Sequence, residues 1–166
     1  MKATRDGFGE GLMQAAQDQR VVVLTADLAK STRVDAFRSR YPERFVEVGI
    51  CEQNMMSVAA GLAHVGKVPF VCSFAAFNPG RNWDQLRVSV CYSNHDVKVV
   101  GSHAGLTVGE DGATHQALED VAMVRALPNI VVLVPADAEQ ARQAVHLAIH
   151  HRGPVYIRLG RAPTAD

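Results

Sequence analysis

The 166-residue sequence lacks any excess of charge: 17 Lys and Arg face 17 Asp and Glu, so the formal net charge is zero. That balance offers no basic surface to nucleic acid or to an anionic membrane. Long apolar runs are missing too. None approaches the roughly 20 residues that span a bilayer, and Met1-Lys2-Ala3-Thr4-Arg5 leads into mixed polar sequence rather than the core of a signal peptide. A cytoplasmic protein is expected. Cysteine is scarce and odd in number; Cys51, Cys72 and Cys91 lie far apart in apolar surroundings, which predicts reduced core thiols rather than disulfides or a metal site. No internal repeat, low-complexity stretch or linker interrupts the chain. What is present is apolar sequence, 48% of residues, enough for a full core in one domain over residues 1–166.

Its patterning alternates. Phe8, Leu12, Ala15 and Ala16 recur at helical spacing within residues 5–18, and Val21 to Leu24 form a β-branched run suited to a sheet buried on both faces. Further short apolar runs at 45–48, 68–71, 97–100, 130–134 and 155–157 predict six strands in all. Helical patterns near 33–40, 52–64, 83–93, 118–126 and 137–150 separate them, the last opening on an Asp137…Gln140 capping box. Such alternation predicts an α/β fold: a three-layer αβα arrangement around a mainly parallel sheet of about six strands. Ligands bind such sheets beyond the carboxyl ends of the strands, so the loops after Leu24, Val48, Val71 and Val100 are where chemistry is expected.

Glu52 stands out among them. It opens an apolar, helix-like run (Met55, Met56, Val58, Ala59, Ala60, Leu62) and is followed some way on by Phe74 and Phe77. A carboxylate facing an apolar pocket tends to hold or share a proton, and two rings could sandwich a flat heterocycle, a pairing that suggests a thiamine diphosphate site. The segment from Gly101 to Gln116 contains four Gly, two His and the adjacent acids Glu110 and Asp111. Loops of that length are usually functional, and its glycines could bring His103, Asp111 and His115 together to bind a polyhydroxylated substrate or move protons; equally, the acids could satisfy backbone amides in an ordinary turn. Their spacing matches no common zinc motif. In the loop after Leu24, Ser31 or Thr32 is suited to cap the next helix. Gly80 and Arg81 fall at a break after Asn78-Pro79. Arg158, Arg161 and Arg152 flank the last strand, where a guanidinium can meet a phosphate or simply be solvated.

Read in order, Val48-Gly49-Ile50-Cys51-Glu52-Gln53-Asn54-Met55, Ser73-Phe74-Ala75-Ala76-Phe77 and Ser102-His103 through Gly109-Glu110-Asp111-Gly112-Ala113-Thr114-His115 resemble the pyrimidine-binding domain of transketolase. The likeness covers nearly the whole chain. Within the family it resembles the carboxyl-terminal polypeptide of split bacterial and archaeal transketolases, which carry similar Gly-Arg, Asp-Gln and Gly-Pro-Val-Tyr-Ile-Arg segments. The resemblance implies that Glu52 hydrogen-bonds the aminopyrimidine N1′ of thiamine diphosphate and favours the imino tautomer that takes the thiazolium proton. It implies that Phe74 and Phe77 pack on the pyrimidine ring, and that Asp27 sits at a subunit contact near the cofactor. By the same likeness His103, Asp111 and His115 contact the sugar, with His103 and His115 acting beside Glu52 in catalysis, and Ser31 and Arg161 help bind the acceptor's phosphate.

The sequence also departs from the family. It has no Gly-Asp-Gly followed at about twenty-five residues by Asn-Asn, the Mg²⁺-diphosphate signature, so the diphosphate and its Mg²⁺ are expected on a partner domain or subunit, and the isolated chain is expected to be inactive. It ends at Asp166, just past the last expected strand, where a third domain normally follows. Gly80 occupies a position where some relatives place another aromatic ring. Deoxyxylulose phosphate synthase and the β-subunit of 2-oxo-acid dehydrogenases share the fold, but the Gly109-Glu110-Asp111-Gly112…His115 segment and Ala117-Leu118-Glu119-Asp120 favour transketolase; a non-catalytic interaction module is the remaining alternative. Homo-oligomers are expected, because a cofactor face built on apolar surface stays exposed in a lone chain. Light scattering should therefore show the free chain self-associating; a clean monomer across working concentrations would contradict this.

Overall fold

In the computed structural model, which describes residues 1–164, the chain runs through β1 (Lys2–Ala3), α1 (Thr4–Ala15), β2 (Val21–Thr25), α2 (Asp35–Arg40), β3 (Phe45–Glu47), α3 (Glu52–His64) and β4 (Val68–Phe74). It continues through α4 (Trp83–Gln85), a π-helical turn over Leu86–Tyr92, β5 (Lys98–Ser102), α5 (Asp120–Arg125), β6 (Val131–Leu133), α6 (Ala138–His150), β7 (Val155–Arg158) and β8 (Pro163–Thr164). Six strands form one sheet in the order β3-β2-β4-β5-β7-β6, every neighbouring pair parallel. The short β1 and β8 pair antiparallel in a second sheet.

Alternation along the strands divides the core into two layers. Val21 and Val23 of β2, Val68, Phe70 and Cys72 of β4, and Val155 and Ile157 of β7 pack against Phe8 and Leu12 of α1, Phe37 of α2 and Val145 of α6. The opposite residues, including Val22, Leu24, Val71, Val99 and Tyr156, pack against Met55, Met56 and Ala59 of α3, Leu86 and Val90 of the π-helical turn, and Val124 of α5. Helices α1, α2 and α6 therefore cover one face and α3, α4 with its π-helical turn, and α5 the other. Helices α1 and α6 meet through Gly7, where a Cβ would lie 1.8 Å from the Ala138 carbonyl oxygen, so only glycine permits that approach. Lys98, within an otherwise apolar strand, is fully buried. Its Nζ donates to the carbonyls of His151 (2.8 Å) and Gly153 (2.9 Å) and pairs with Asp96, which satisfies a charge that burial alone would expel.

Each expected central strand and helix forms, with ends moved by a few residues and the small β1–β8 sheet added. Three expectations change. Cys51 is exposed at the cap position of α3, where it stands outside both core layers, while Cys72 and Cys91 are buried within them. Neither Ser31 nor Thr32 caps α2: its cap position is Val34, and the Thr32 hydroxyl donates instead to the Leu28 carbonyl at 2.8 Å. Of the capping box on α6, Asp137 accepts from the Gln140 amide at 2.7 Å, but the Gln140 side chain reaches the amide of Ala136 rather than that of Asp137.

A buried polar thread fixes the end of the sheet where β4 stops. Asn78 donates from Nδ2 to the carbonyls of Val71 on β4 (2.9 Å) and Val100 on β5 (3.0 Å), and its Oδ1 accepts from Asn82 at 3.0 Å. Asn82 Nδ2 also reaches the Glu52 carbonyl at 3.2 Å. Replacing Asn78 with Ala orphans buried groups at both ends, so Asn78→Ala should cost about 2–4 kcal/mol in urea unfolding. A loss below about 0.5 kcal/mol would show the thread to be dispensable.

Candidate active site

From β2 the chain moves outward to β3, and from β4 it moves the other way to β5. The loops part at the carboxyl ends of β2 and β4, the place where open α/β sheets form a binding crevice. A cleft of about 280 Å³ opens there, with Asp27 and Leu28 from the loop after β2, Ile50 and Glu52 at the start of α3, Phe74 and Phe77 beyond β4, then Arg81 and His115. Five sequence-predicted residues thus share one cavity: Asp27, Glu52, Phe74, Phe77 and His115.

Glu52 is the first residue of α3 and only 2% exposed. Its Oε2 accepts from Arg81 Nη1 at 2.8 Å, and the Arg81 guanidinium lies 4.4 Å from the centroid of the Phe77 ring. Phe74 and Phe77 stack at 6.2 Å and 20°, with the His115 ring edge-on to Phe77 at 5.2 Å. Asp27 adopts φ +59° at the lip, its amide donating to Glu47 Oε1 at 2.8 Å. Gly80 carries no ring and has no room for one, since a Cβ there would come within 2.1 Å of the Ala76 carbonyl oxygen.

His103 lies against Phe74. It is buried, holds φ +57° and stacks on Phe74 with centroids 3.9 Å apart. Arg5 Nη1 lies 3.1 Å from its Nε2 and Ser102 Oγ 2.9 Å from its Nδ1. A guanidinium can only donate, which assigns the lone pair to Nε2 and the proton to Nδ1, donated to Ser102. The ring's pKa is pushed down to about 4, first by burial and then by the charges of Arg5, Arg161, Arg33 and His115. Arg5 itself is held below its ordinary value by burial and then by Arg33. The same guanidinium donates to the Ser31 carbonyl at 3.2 Å, so Ser31 stands beside this cationic group.

The neck of the long loop is closed by the Gly105 amide on the Ala117 carbonyl at 2.8 Å. At its end Asp120 is buried and accepts from Tyr156 Oη (2.7 Å) and Arg158 Nε (2.9 Å). Arg158 is thereby committed to a carboxylate rather than held open for a phosphate. Arg161 donates to the Val108 carbonyl and pairs with Glu110, each at 2.7 Å. Asp111 is exposed on the loop and does not line the cleft; His103 stacks on Phe74 at 3.9 Å and His115 meets that ring edge-on at 6.0 Å. Residues missed by sequence reasoning are Arg5 as a partner of His103 and Arg81 as a partner of Glu52. Arg5 lies 98 positions from its partner, and no local pattern links them. Arg81 carried one usable signal, its place four residues after Phe77 in the Gly80-Arg81 break.

Fold and site together define an α/β ligand-binding domain whose cleft offers a buried carboxylate and two stacked rings to a flat, hydrogen-bonding ligand. The sequence profile of the transketolase pyrimidine-binding domain matches residues 1–165, and the chain belongs to that family. It is 45% identical over 164 residues to a putative transketolase C-terminal section of Methanocaldococcus jannaschii, covering 98% of this chain and 52% of that protein. It is 45% identical over 160 residues to the 6-deoxy-6-sulfo-D-fructose transketolase subunit SqwH of a Clostridium species, covering 96% and 50% respectively. A solved structure described as a split-gene transketolase in an inactive β4 tetramer superposes with a TM-score of 0.89 at 47% identity, over all of this chain and 53% of that one. The chain thus spans about half the length of these relatives.

Folding must keep His103 neutral between its folded pKa of about 4 and the ordinary histidine value near 6.5. Over that interval the unfolded chain binds more protons, so this residue's contribution to stability is complete above pH ~6.5 and declines as pH falls toward 4. His103→Gln should flatten that part of the profile of urea midpoint against pH. Parallel profiles for the two proteins would disprove the burial of a neutral ring.

Proposed function

We propose that residues 1–166 act as one pyrimidine-binding domain of a transketolase-type transferase, moving a two-carbon ketol unit between sugar phosphates once joined to a diphosphate-binding partner. The observation that carries this reading is Glu52: a buried carboxylate at the switch point with Phe74 and Phe77 beside it. The cleft fits the pyrimidine half of thiamine diphosphate, since an aminopyrimidine offers a flat face to the rings and ring nitrogen and amino groups to the carboxylate. When bound, thiamine diphosphate supplies the nucleophilic carbon and the electron sink for breaking the bond next to a ketose carbonyl.

Glu52 holds or shares a proton at the pyrimidine nitrogen, and its fixed backbone keeps the carboxylate aimed. Phe74 and Phe77 exclude water and set the ring's plane. His103, neutral and held between Ser102 on Nδ1 and Arg5 on Nε2, keeps the Arg5 guanidinium in place behind Phe74, and His115 at the cleft's edge can donate or accept toward substrate hydroxyls. Of the cations around His103, Arg33 is paired with Asp6 and Arg161 with Glu110, whereas Arg5 donates to the neutral Ser31 carbonyl and His103; that guanidinium supports a substrate phosphate held near Ser31 and Arg161. Asp111, exposed on the loop, reaches the sugar only if the loop folds inward. Asp27 lies at the lip, where a partner subunit would meet the cofactor.

Among the described residues no group of three or more His, Cys, Asp or Glu is placed to hold a metal ion, and no helix is long and apolar enough to cross a membrane. We assign Mg²⁺ and the diphosphate to the partner domain or subunit. Ile50, 70% exposed on the cleft wall, and the exposed Leu106 and Leu118 of the His115 loop provide apolar surface for that partner or for a second copy. In the reconstituted complex, Glu52→Gln should lower turnover of xylulose 5-phosphate with an aldose phosphate by two orders of magnitude or more (~10²-fold) while assembly persists. Unchanged turnover would remove Glu52 from the chemistry, and turnover restricted to pyruvate as donor would overturn the choice of reaction.

A further inference from the structure

Arg81 makes two contacts at once. Its guanidinium donates to Glu52 Oε2 at 2.8 Å and lies 4.4 Å from the centroid of Phe77. Those are the carboxylate and one of the rings that the proposed function assigns to the aminopyrimidine. A guanidinium imitates that ring closely: it is planar, carries N–H donors in its plane and offers a π-face. Its exposure differs sharply from that of its partner, 46% for the Arg81 side chain against 2% for Glu52. With Arg81 in place the carboxylate is shielded from water, whereas the arginine stem can swing outward into solvent. Nor does Arg81 take part in the neighbouring side-chain network, in which Asn78 and Asn82 bond to each other, to strand carbonyls and to the Glu52 carbonyl.

Building on that reading, we propose that Arg81 is a placeholder: it neutralises buried Glu52 and covers Phe77 when the cleft holds no cofactor, and it must be displaced for the pyrimidine ring to enter. Two consequences of opposite sign follow. Removing Arg81 leaves a carboxylate buried and unpaired, so the empty domain loses stability. It also removes a competitor from the cleft, so the cofactor binds more tightly, because apparent affinity scales with the fraction of molecules whose site is open. A residue that merely contributed to cofactor binding, or merely to folding, would not move the two quantities in opposite directions.

The test combines Arg81→Met, Arg81→Lys, Glu52→Gln and the Glu52→Gln/Arg81→Met double variant. For the cofactor-free chain, urea unfolding should show Arg81→Met destabilised, with the cycle coupling the two residues by about fivefold or more in the unfolding constant. Thiamine diphosphate with Mg²⁺ is then titrated into the complex with its diphosphate-binding partner, followed by quenching of protein fluorescence. Kd should fall about three- to tenfold in Arg81→Met, with Arg81→Lys, which keeps the charge but not the planar face, between it and the parent. Should Arg81→Met be too unstable to purify, the Lys variant and the double variant carry the same comparison. Weaker or unchanged affinity in Arg81→Met and Arg81→Lys, while Glu52→Gln still impairs binding or turnover, would sink the placeholder and leave the cofactor reading standing. Glu52→Gln without effect on Kd or turnover would instead fell the cofactor reading and the placeholder with it.

Discussion

A carboxylate withdrawn from water at the end of a parallel sheet is the constraint on which the site's construction turns. Burying Glu52 without a partner would cost several kcal/mol, enough to consume a large part of a small domain's stability. Two devices answer it. The Asn78–Asn82 thread fixes where the carboxylate's backbone lies, using strand carbonyls of β4 and β5 as anchors. Arg81, itself on the lining of the cleft, then supplies the countercharge. Position is thus set by neutral, immobile groups and charge by a single movable one.

Electrostatically the crevice has two poles. Beneath Phe77 a negative group is sealed in, whereas around His103 the positive side chains of Arg5, Arg33 and Arg161 crowd one another. Phe74 stands between them, touching Phe77 on one side and His103 on the other. A neutral histidine is what allows this: an imidazolium would repel Arg5 and lose the lone pair that accepts from it, while Arg33 and Arg161 keep Asp6 and Glu110 as partners.

Much of the fold was legible, since β-branched runs and helical periodicity carry direct information about burial. The six central strands and the helices between them lie where Val21, Val68, Val97 and their neighbours imply. Glu52, Phe74 and Phe77 were legible for a related reason, because an acid entering an apolar helix and paired rings leaving a strand are local anomalies. What escaped was long-range pairing. Nothing near Arg5 announces His103, and Arg81 reads as a turn residue until Glu52 is seen across the cleft. Asp111 shows the converse: a Gly-rich segment reveals that a loop can turn but not which way its side chains face. Cys51 was misjudged because apolar neighbours in sequence are not a core when the residue caps a helix outside both core layers.

The small antiparallel β1–β8 pair and the α1–α6 seam join distant parts of the chain: the Thr164 hydroxyl reaches the Lys2 carbonyl across 162 positions, and the Gly160 amide reaches Thr4 Oγ1 across 156. Contacts of such range close the largest loops available and form against the greatest entropy. The face covered by α3, the π-helical turn and α5 draws on nearer neighbours. On a ribosome, therefore, most of the layer holding Glu52 and Cys91 can assemble while α1 still waits for α6, and Tyr156 of β7 completes it later. Until then the apolar side of α1, with Phe8 and Leu12, packs on β2 and β4 but lacks its cover from Ala141, Ala144 and Val145 of α6.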